Sequence, residues 1–139
     1  MAIEPYRPHF LLGLALGIAG VSLWPLYQLQ WISYPLLAHR HLMIEGLFLS
    51  FVTGFLMTAA PKMSSTEGAC PAEIWLSFSL ILLSGVLALS GFPLAAEVLT
   101  AAQIAALFFF LARRMRRRQA NPPFGFIFVP FGLAWFLFG

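Results

Sequence analysis

Long runs of apolar residues, each about as long as a membrane is thick, dominate the chain. Four of them are continuous enough to be read as membrane spans, at residues 10–27, 42–60, 74–92 and 94–112. A helix rises 1.5 Å per residue, so about 20 apolar residues cross the ~30 Å hydrocarbon core. Because backbone groups in lipid must be hydrogen-bonded within their own segment, the pattern predicts an all-α fold, a polytopic transmembrane helix bundle.

The residues between the spans are of the kinds that end or bend helices. Pro35 precedes the second span, Pro61 is expected to close it, and Pro71 precedes the third. Residues 91–93, Gly-Phe-Pro, predict a tight turn, so the third and fourth spans should form an antiparallel hairpin. Pro25 stands late in the first span and is expected to kink it.

A fifth apolar stretch, residues 124–138, is too short for a regular span and is interrupted by Gly125, Pro130 and Gly132. Two interpretations stay open for it. It is either a short, broken or re-entrant segment, or a sign that the chain is part of a longer protein, and we favour the second. The hydropathy pattern as a whole indicates a single transmembrane helical domain over residues 1–139.

Composition and charge agree with a membrane environment. Only 9% of residues are charged and 60% are hydrophobic, whereas soluble domains carry about 25% charged residues. Five of the eight basic residues lie in the run 113–118, directly after the fourth span. Arg7 and Lys62 should lie on the same side of the membrane as this run, which leaves only Arg40 on the opposite side. Because basic residues accumulate on the cytoplasmic side, this asymmetry predicts an N-terminus in the cytoplasm. The run is expected to fix orientation in the lipid bilayer, with no nucleic-acid partner.

The strongest candidates for chemistry lie at the outer start of the second helix. His39 and His41 flank Arg40 there. His39 and Gly46 are about 700° apart around a helix, close to two full turns, so they should share a face. Small residues recur on that face, while His41 points away and should share its face with Glu45.

A histidine above a groove of small residues can ligate a heme iron, and the alternative is an interfacial histidine bonded to water or headgroups. The spacing alone leaves both interpretations open, and in the first of them the two histidines are the metal ligands of a cofactor site. Its residues are His39, His41, Gly46 and Ser50.

The other ionisable residues receive weaker predictions. His9 is expected at the inner edge of the first helix, across the membrane from the histidine pair. Glu97 is interpreted as a charge near the start of the fourth helix, with a proton path as the alternative. Three further carboxylates are expected to be solvated in loops or tails, and they are Glu4, Glu67 and Glu73. Cys70 is the one cysteine, so no internal disulfide can form.

Three segments resemble the NnrS family. Residues 5–12, PYRPHFLL, look like the PFRPFF-like opening of that family, and residues 39–43, HRHLM, are similar to its HAHEM motif. Residues 53–61, TGFLMTAAP, look like its GFLLTAVP stretch, in the same order. The resemblance implies a multi-pass protein of the bacterial inner membrane that is associated with heme, with copper, and with the response to nitric oxide. It implies heme b, or copper as an alternative, near His39 and His41.

The second helix is also similar, more distantly, to that of heme-copper oxidase subunit I, where His39 and Met43 match the spacing of a heme-ligating histidine and a methionine. The chain departs from the NnrS motif at Leu42, where the family has glutamate, and it has no later histidine. A second heme ligand must then come from another membrane subunit, a second copy or missing sequence. We expect a heme-binding component of a respiratory or nitric-oxide-related assembly. The alternative is a cofactor-free accessory subunit, and whether the protein is an enzyme stays open.

Overall fold

The computed structural model describes residues 4–138 of the chain, and the side chains of residues 4–136. It contains four long helices: α1 (Tyr6–Gln28), α2 (Leu36–Ser64), α3 (Pro71–Leu89) and α4 (Pro93–Arg116). A single 3₁₀ turn then leads into the short helix α5 (Phe128–Phe138). The four long helices have the length and composition to cross a membrane. The prediction of an all-α, polytopic membrane protein is confirmed.

The helices begin and end largely where the prolines and glycines in the sequence predict. Pro71 occupies the first turn of α3, and Gly91 adopts a φ of +82°, which lets the chain turn tightly into α4. The prediction for Pro61 was wrong, because α2 continues past it to Ser64 and ends at Ser65, whose φ is +51°. A proline removes one helical hydrogen bond, but Thr66 donates to the carbonyl of Pro61 at 2.9 Å and closes the last turn.

Small residues allow α1 and α2 to pack closely along their length. A Cβ built on Gly13 would lie 3.0 Å from Phe51, and one on Gly54 would lie 2.9 Å from the Cβ of His9. The Gly54 distance is shorter than real Cβ contacts, and the Gly13 distance would force the Phe51 ring to shift, so glycine at these positions allows the close approach. The small residues therefore bring the backbones of α1 and α2 together.

Two apolar clusters form the interior. One joins α1, α2 and α3 near the start of α2, with Leu16, Leu42 and Ile81 among its buried members. The other joins the end of α2 to α3 and α4, and Leu133 of α5 is buried in it at 5% exposure. Eleven residues of α5 extend about 16 Å, half of the hydrocarbon core. This helix packs along its neighbours and is too short to cross.

Charged residues mark the two ends of the bundle differently. We call the end that contains Lys62, Glu73, Arg113 and Arg114 the basic end, and the end that contains His39, Arg40, His41 and Glu97 the histidine end.

At the basic end Glu73 accepts from both Arg113 and Arg114 at 2.8 Å, and Arg114 is only 4% exposed. The expectation that Glu73 is solvated was wrong, since it lies in the first turn of α3 and bridges to α4.

Candidate functional site

The histidine end contains an irregular helix. Directly after His41, the hydrogen bonds of α2 switch to π-helical spacing over Leu42–Phe48. Glu45 lies within this segment. A π turn inserts an extra residue into a helix at some cost in stability, and such turns are found mostly where side chains must be positioned for function. The irregularity therefore coincides with the residues that the sequence singles out.

His39 faces α1 and has one ring nitrogen fixed. Its Nδ1 lies 2.9 Å from the carbonyl oxygen of Gly20, and its ring packs edge-on against Trp24 with centroids 5.4 Å apart. Because a carbonyl can only accept, Nδ1 must carry the hydrogen and donate it. The Nε2 lone pair is then free, and no described residue bonds to it. A histidine held through Nδ1 with Nε2 free is the arrangement found at metal sites.

His41 points into the bundle and is 3% exposed. Its Nδ1 lies 2.9 Å from Oε2 of Glu45, so the prediction that these two residues share a face is confirmed. Its Nε2 lies 3.4 Å from the hydroxyl of Ser84 on α3.

The hydrogen atoms around His41 can be assigned. Ser84 donates its hydroxyl hydrogen to the carbonyl of Ile81 at 3.0 Å, so the ring Nε2 must donate to Ser84. A proton must then lie between Nδ1 and the Glu45 carboxylate, because two lone pairs would repel at 2.9 Å. The contact is poorly aligned, since Oε2 of Glu45 has no well-formed hydrogen bond among the described residues. His41 and Glu45 thus share one proton across a short but poorly aligned contact.

The other two predicted site residues, Gly46 and Ser50, are covered by neighbouring helices. A Cβ on Gly46 would lie 3.1 Å from Leu16 of α1. Ser50 is fully buried, and its hydroxyl has no hydrogen-bond partner in the described part of the chain. Leu16 fills the groove that the sequence suggested for a cofactor edge. Cofactor binding by these two residues stays a prediction.

A cavity of about 790 Å³ opens at the histidine end, between the loop before α2 and the turn between α3 and α4. Most of its walls are apolar, and three ionisable side chains from the helices line it beside the loop residues Ser33 and Tyr34: Arg40, His41 and Glu97. Arg40 and Glu97 form an ion pair at 3.3 Å, each side chain being 51% exposed. The cavity gives His41 a route to the surface beside this exposed pair.

His9 lies in a second polar network that the sequence did not predict. It is fully buried, with Nδ1 2.8 Å from the carbonyl of Pro5 and Nε2 3.1 Å from the hydroxyl of Ser77. Ser77 also accepts from the amide of Gln103 at 2.7 Å, and the same amide nitrogen lies 3.3 Å from Thr53. His9 is therefore a neutral ring with both nitrogens engaged, and neither is free for a metal.

The two histidine networks are closer than expected. His9 was expected across the membrane from the histidine pair. The α3 serines that contact His9 and His41, Ser77 and Ser84, are seven residues apart, which is about 10 Å along a helix. A glutamine in the middle of an apolar helix, Gln103, was the one sequence signal for this network.

The described side chains do not form a multidentate metal site. Among them, no group of three or more histidine, cysteine, aspartate or glutamate residues converges on one point. His39 alone presents a free ring nitrogen, so a metal bound there needs further ligands from outside this part of the chain.

The chain matches a family of known proteins. The family model described as NnrS protein matches residues 2–139, nearly the whole chain. No curated protein and no solved structure matches.

Proposed function

Because the chain belongs to the NnrS family, we propose that it binds heme b at the histidine end of α2, with His39 as an axial ligand. Family membership and the four membrane-crossing helices support a membrane protein related to the nitric oxide response. Heme binding is a more specific proposal than this, and the hydrogen-bond geometry of the three histidines supports it. The protein would act as a component of a respiratory or nitric-oxide-related membrane assembly.

The fixed ring of His39 is the observation that carries this proposal. The 2.9 Å contact between Nδ1 and Gly20 sets the tautomer, and a neutral imidazole with a free nitrogen is a good ligand for heme iron. Trp24 adds a flat aromatic surface beside the ring. In contrast, His9 and His41 have both ring nitrogens against protein partners. His41 could coordinate only after it left Glu45 or Ser84. Copper is the alternative metal, since imidazole suits it as well.

The site must be completed by another set of helices. A six-coordinate heme needs a second axial ligand, and the other two histidines are engaged within the bundle. Tyr34, which packs against Trp24 beside His39, is 62% exposed, and Trp31 in the same loop is 73% exposed. We propose that another membrane subunit, a second copy of this chain, or further helices of a longer protein cover this side and supply the ligand.

Orientation follows from where the charges lie. Lys62 pairs with Glu4 at 3.6 Å at the same end as Arg113 and Arg114, while Arg40 lies at the opposite end. We propose insertion in the bacterial inner membrane with the basic end and the N-terminus in the cytoplasm. Reporter fusions test this: alkaline phosphatase should be active in the loop at residues 29–35 and inactive in the loop at residues 65–70. The opposite pattern would overturn the orientation.

An absorption spectrum of the purified full chain, produced with ample heme, tests the cofactor. We expect a Soret band that is lost in His39→Ala and kept in His41→Ala, its matched control two residues away. External imidazole should restore the band in His39→Ala, because a free ligand can replace the missing side chain. A Soret band that survives His39→Ala would overturn the assignment of His39. A pyridine hemochrome spectrum and metal analysis separate heme b from copper.

A cofactor-free accessory subunit is the second candidate function. Leu16 packs against Gly46 of α2, and the described chain offers one free imidazole nitrogen. A colourless, metal-free protein made with adequate heme and copper would support this function and refute heme binding.

A further inference from the structure

A second cavity, of about 410 Å³, lies at the basic end between the loop after α2 and the end of α4. Three arginines line it, Arg113, Arg114 and Arg117. The rest of its lining comes from Ser65, Thr66, Glu67 and Gln119. Every residue around this cavity is polar or charged, and arginine is the side chain best suited to binding phosphate and carboxylate groups. The cavity is therefore a candidate site for an anion.

The three arginines differ in how many of their hydrogen-bond donors are already used. Arg114 is held by Glu73 and by the carbonyl of Gly68, and its side chain is 5% exposed. Arg113 gives one N–H to Glu73, and its side chain is 44% exposed. The exposed Arg117 side chain has no hydrogen-bond partner in the described part of the chain. A guanidinium carries five N–H donors, so Arg113 and Arg117 keep most of theirs for a ligand.

The charges around this cavity also favour an anion. Glu73 neutralises one of the three arginines, and Glu67, which lines the cavity, opposes a second. One arginine charge remains, and Arg116 and Arg118 flank Arg117 in the sequence and add to the positive field. A phosphate group, with one or two negative charges, would balance this excess.

A smaller, mostly apolar groove of about 220 Å³ adjoins the cavity, and Arg113 lines both of them. The groove follows α4 from Arg113 to Ala106, a distance of about 10 Å. Leu76 and Phe109 on its walls are 57% and 70% exposed, so the groove is open on the outer, lipid-facing surface of the bundle. A free phosphate ion gains nothing from such a groove, whereas a phospholipid has an acyl chain directly next to its phosphate.

We propose that the cavity and the groove together bind one anionic phospholipid. Its phosphate accepts hydrogen bonds from Arg113 and Arg117, and one acyl chain lies along Leu76 and Phe109. Basic pockets between membrane helices are known to bind anionic headgroups in this way. Such a site differs from the role of the basic run in orientation, which needs no cavity. It is also independent of heme binding at the opposite end.

Thermal unfolding of the full chain in dodecyl maltoside, after its lipids have been removed, tests the ligand. We expect phosphatidylglycerol to raise the melting temperature, because a ligand that binds only the folded protein stabilises it. Phosphatidylcholine and inorganic phosphate at the same concentrations should have little effect. An equal rise with phosphatidylcholine would refute recognition of the charge. An equal rise with inorganic phosphate would assign the cavity to a free anion and overturn the lipid proposal.

Arg117→Gln and its matched control Arg116→Gln test the site. Both substitutions remove one charge from the same basic run, but only Arg117 lines the cavity. The phosphatidylglycerol concentration needed for half of the effect should rise about tenfold in Arg117→Gln, which loses a charged hydrogen bond. It should rise less than about twofold in Arg116→Gln, which loses a screened surface charge. Equal effects would mean unspecific attraction to the run and would overturn the site.

Glu67→Gln gives a prediction of the opposite sign. Its carboxylate lines the cavity and repels the proposed phosphate, so its removal should lower the phosphatidylglycerol concentration needed by about threefold, the effect of one exposed charge. All three side chains are exposed, so the melting temperatures without lipid should match wild type and show that the variants fold. Unchanged or weaker binding by Glu67→Gln would overturn the placement of the phosphate in this cavity.

Discussion

The two ends of the bundle are held together in different ways. At the basic end, Glu73 joins α3 to α4 through two arginines at 2.8 Å, and Arg114 also bonds the carbonyl of Gly68 and lies 3.9 Å over the Phe110 ring. At the histidine end, one half-exposed ion pair at 3.3 Å joins α2 to α4 beside an open cavity. The candidate chemistry is therefore located at the less constrained end, where local opening costs least.

The largest predicted effect is at the basic end. Glu73→Gln leaves the buried Arg114 without its carboxylate, and an uncompensated buried charge costs about 3–5 kcal/mol. Unfolding in mixed micelles of mild detergent and SDS measures this loss. Glu67→Gln is the matched control, because Glu67 is exposed and its change should have almost no effect. Equal stability of the two variants would contradict the view that the basic end is the more tightly held end.

Two serines on α3 allow the two ends of the bundle to be compared within one helix. Ser77→Ala removes the partner of both His9 and Gln103 and should cost about 1–3 kcal/mol, the penalty of leaving buried groups unpaired. Ser84→Ala removes a long 3.4 Å contact to His41 and a bond to the carbonyl of Ile81 in the same helix, and it should cost at most about 1 kcal/mol. The same unfolding assay measures both. A larger loss of stability in Ser84→Ala than in Ser77→Ala would contradict this ranking.

Two glycines allow a third comparison, between the costs of adding a methyl group at two helix contacts. In Gly54→Ala the new Cβ would lie 2.9 Å from the Cβ of His9 and 3.1 Å from the backbone of Tyr6, so α1 must move. Overpacking of this kind costs about 1–3 kcal/mol. In Gly85→Ala the new Cβ meets a terminal methyl of Leu16 at 2.9 Å, which can rotate away, so the cost should stay below about 1 kcal/mol. Melting temperatures in detergent should rank the two variants, and similar melting temperatures would show that α1 can shift freely.

Local patterns predicted much of the fold and part of the site. Hydropathy located the four spans, and the angular spacing along α2 placed His41 beside Glu45 and His39 on the opposite, α1-facing side. Both signals depend on residues close in sequence, whose geometry one helix determines.

Long-range contacts were not predictable in this way. Glu73 and Arg114 are 41 residues apart, and His9 and Ser77 are 68 apart. Their pairing depends on how whole helices pack, and a single sequence contains no periodic signal for it. The π-helical segment after His41 also escaped prediction, because the apolar pattern of residues 42–48 is that of an ordinary helix.

The smallest predicted effect is at the exposed pair of the histidine end. Arg40→Ala removes the contact with Glu97, and exposed pairs contribute only about 0–1 kcal/mol. The difference between Arg40→Ala and wild type should shrink further in high salt, because ions screen exposed charges. Unfolding curves in mixed micelles at low and high salt measure this. A large, salt-independent loss would mean that this pair holds α2 to α4 as firmly as Glu73 holds α3 to α4, and the two ends would then be equivalent.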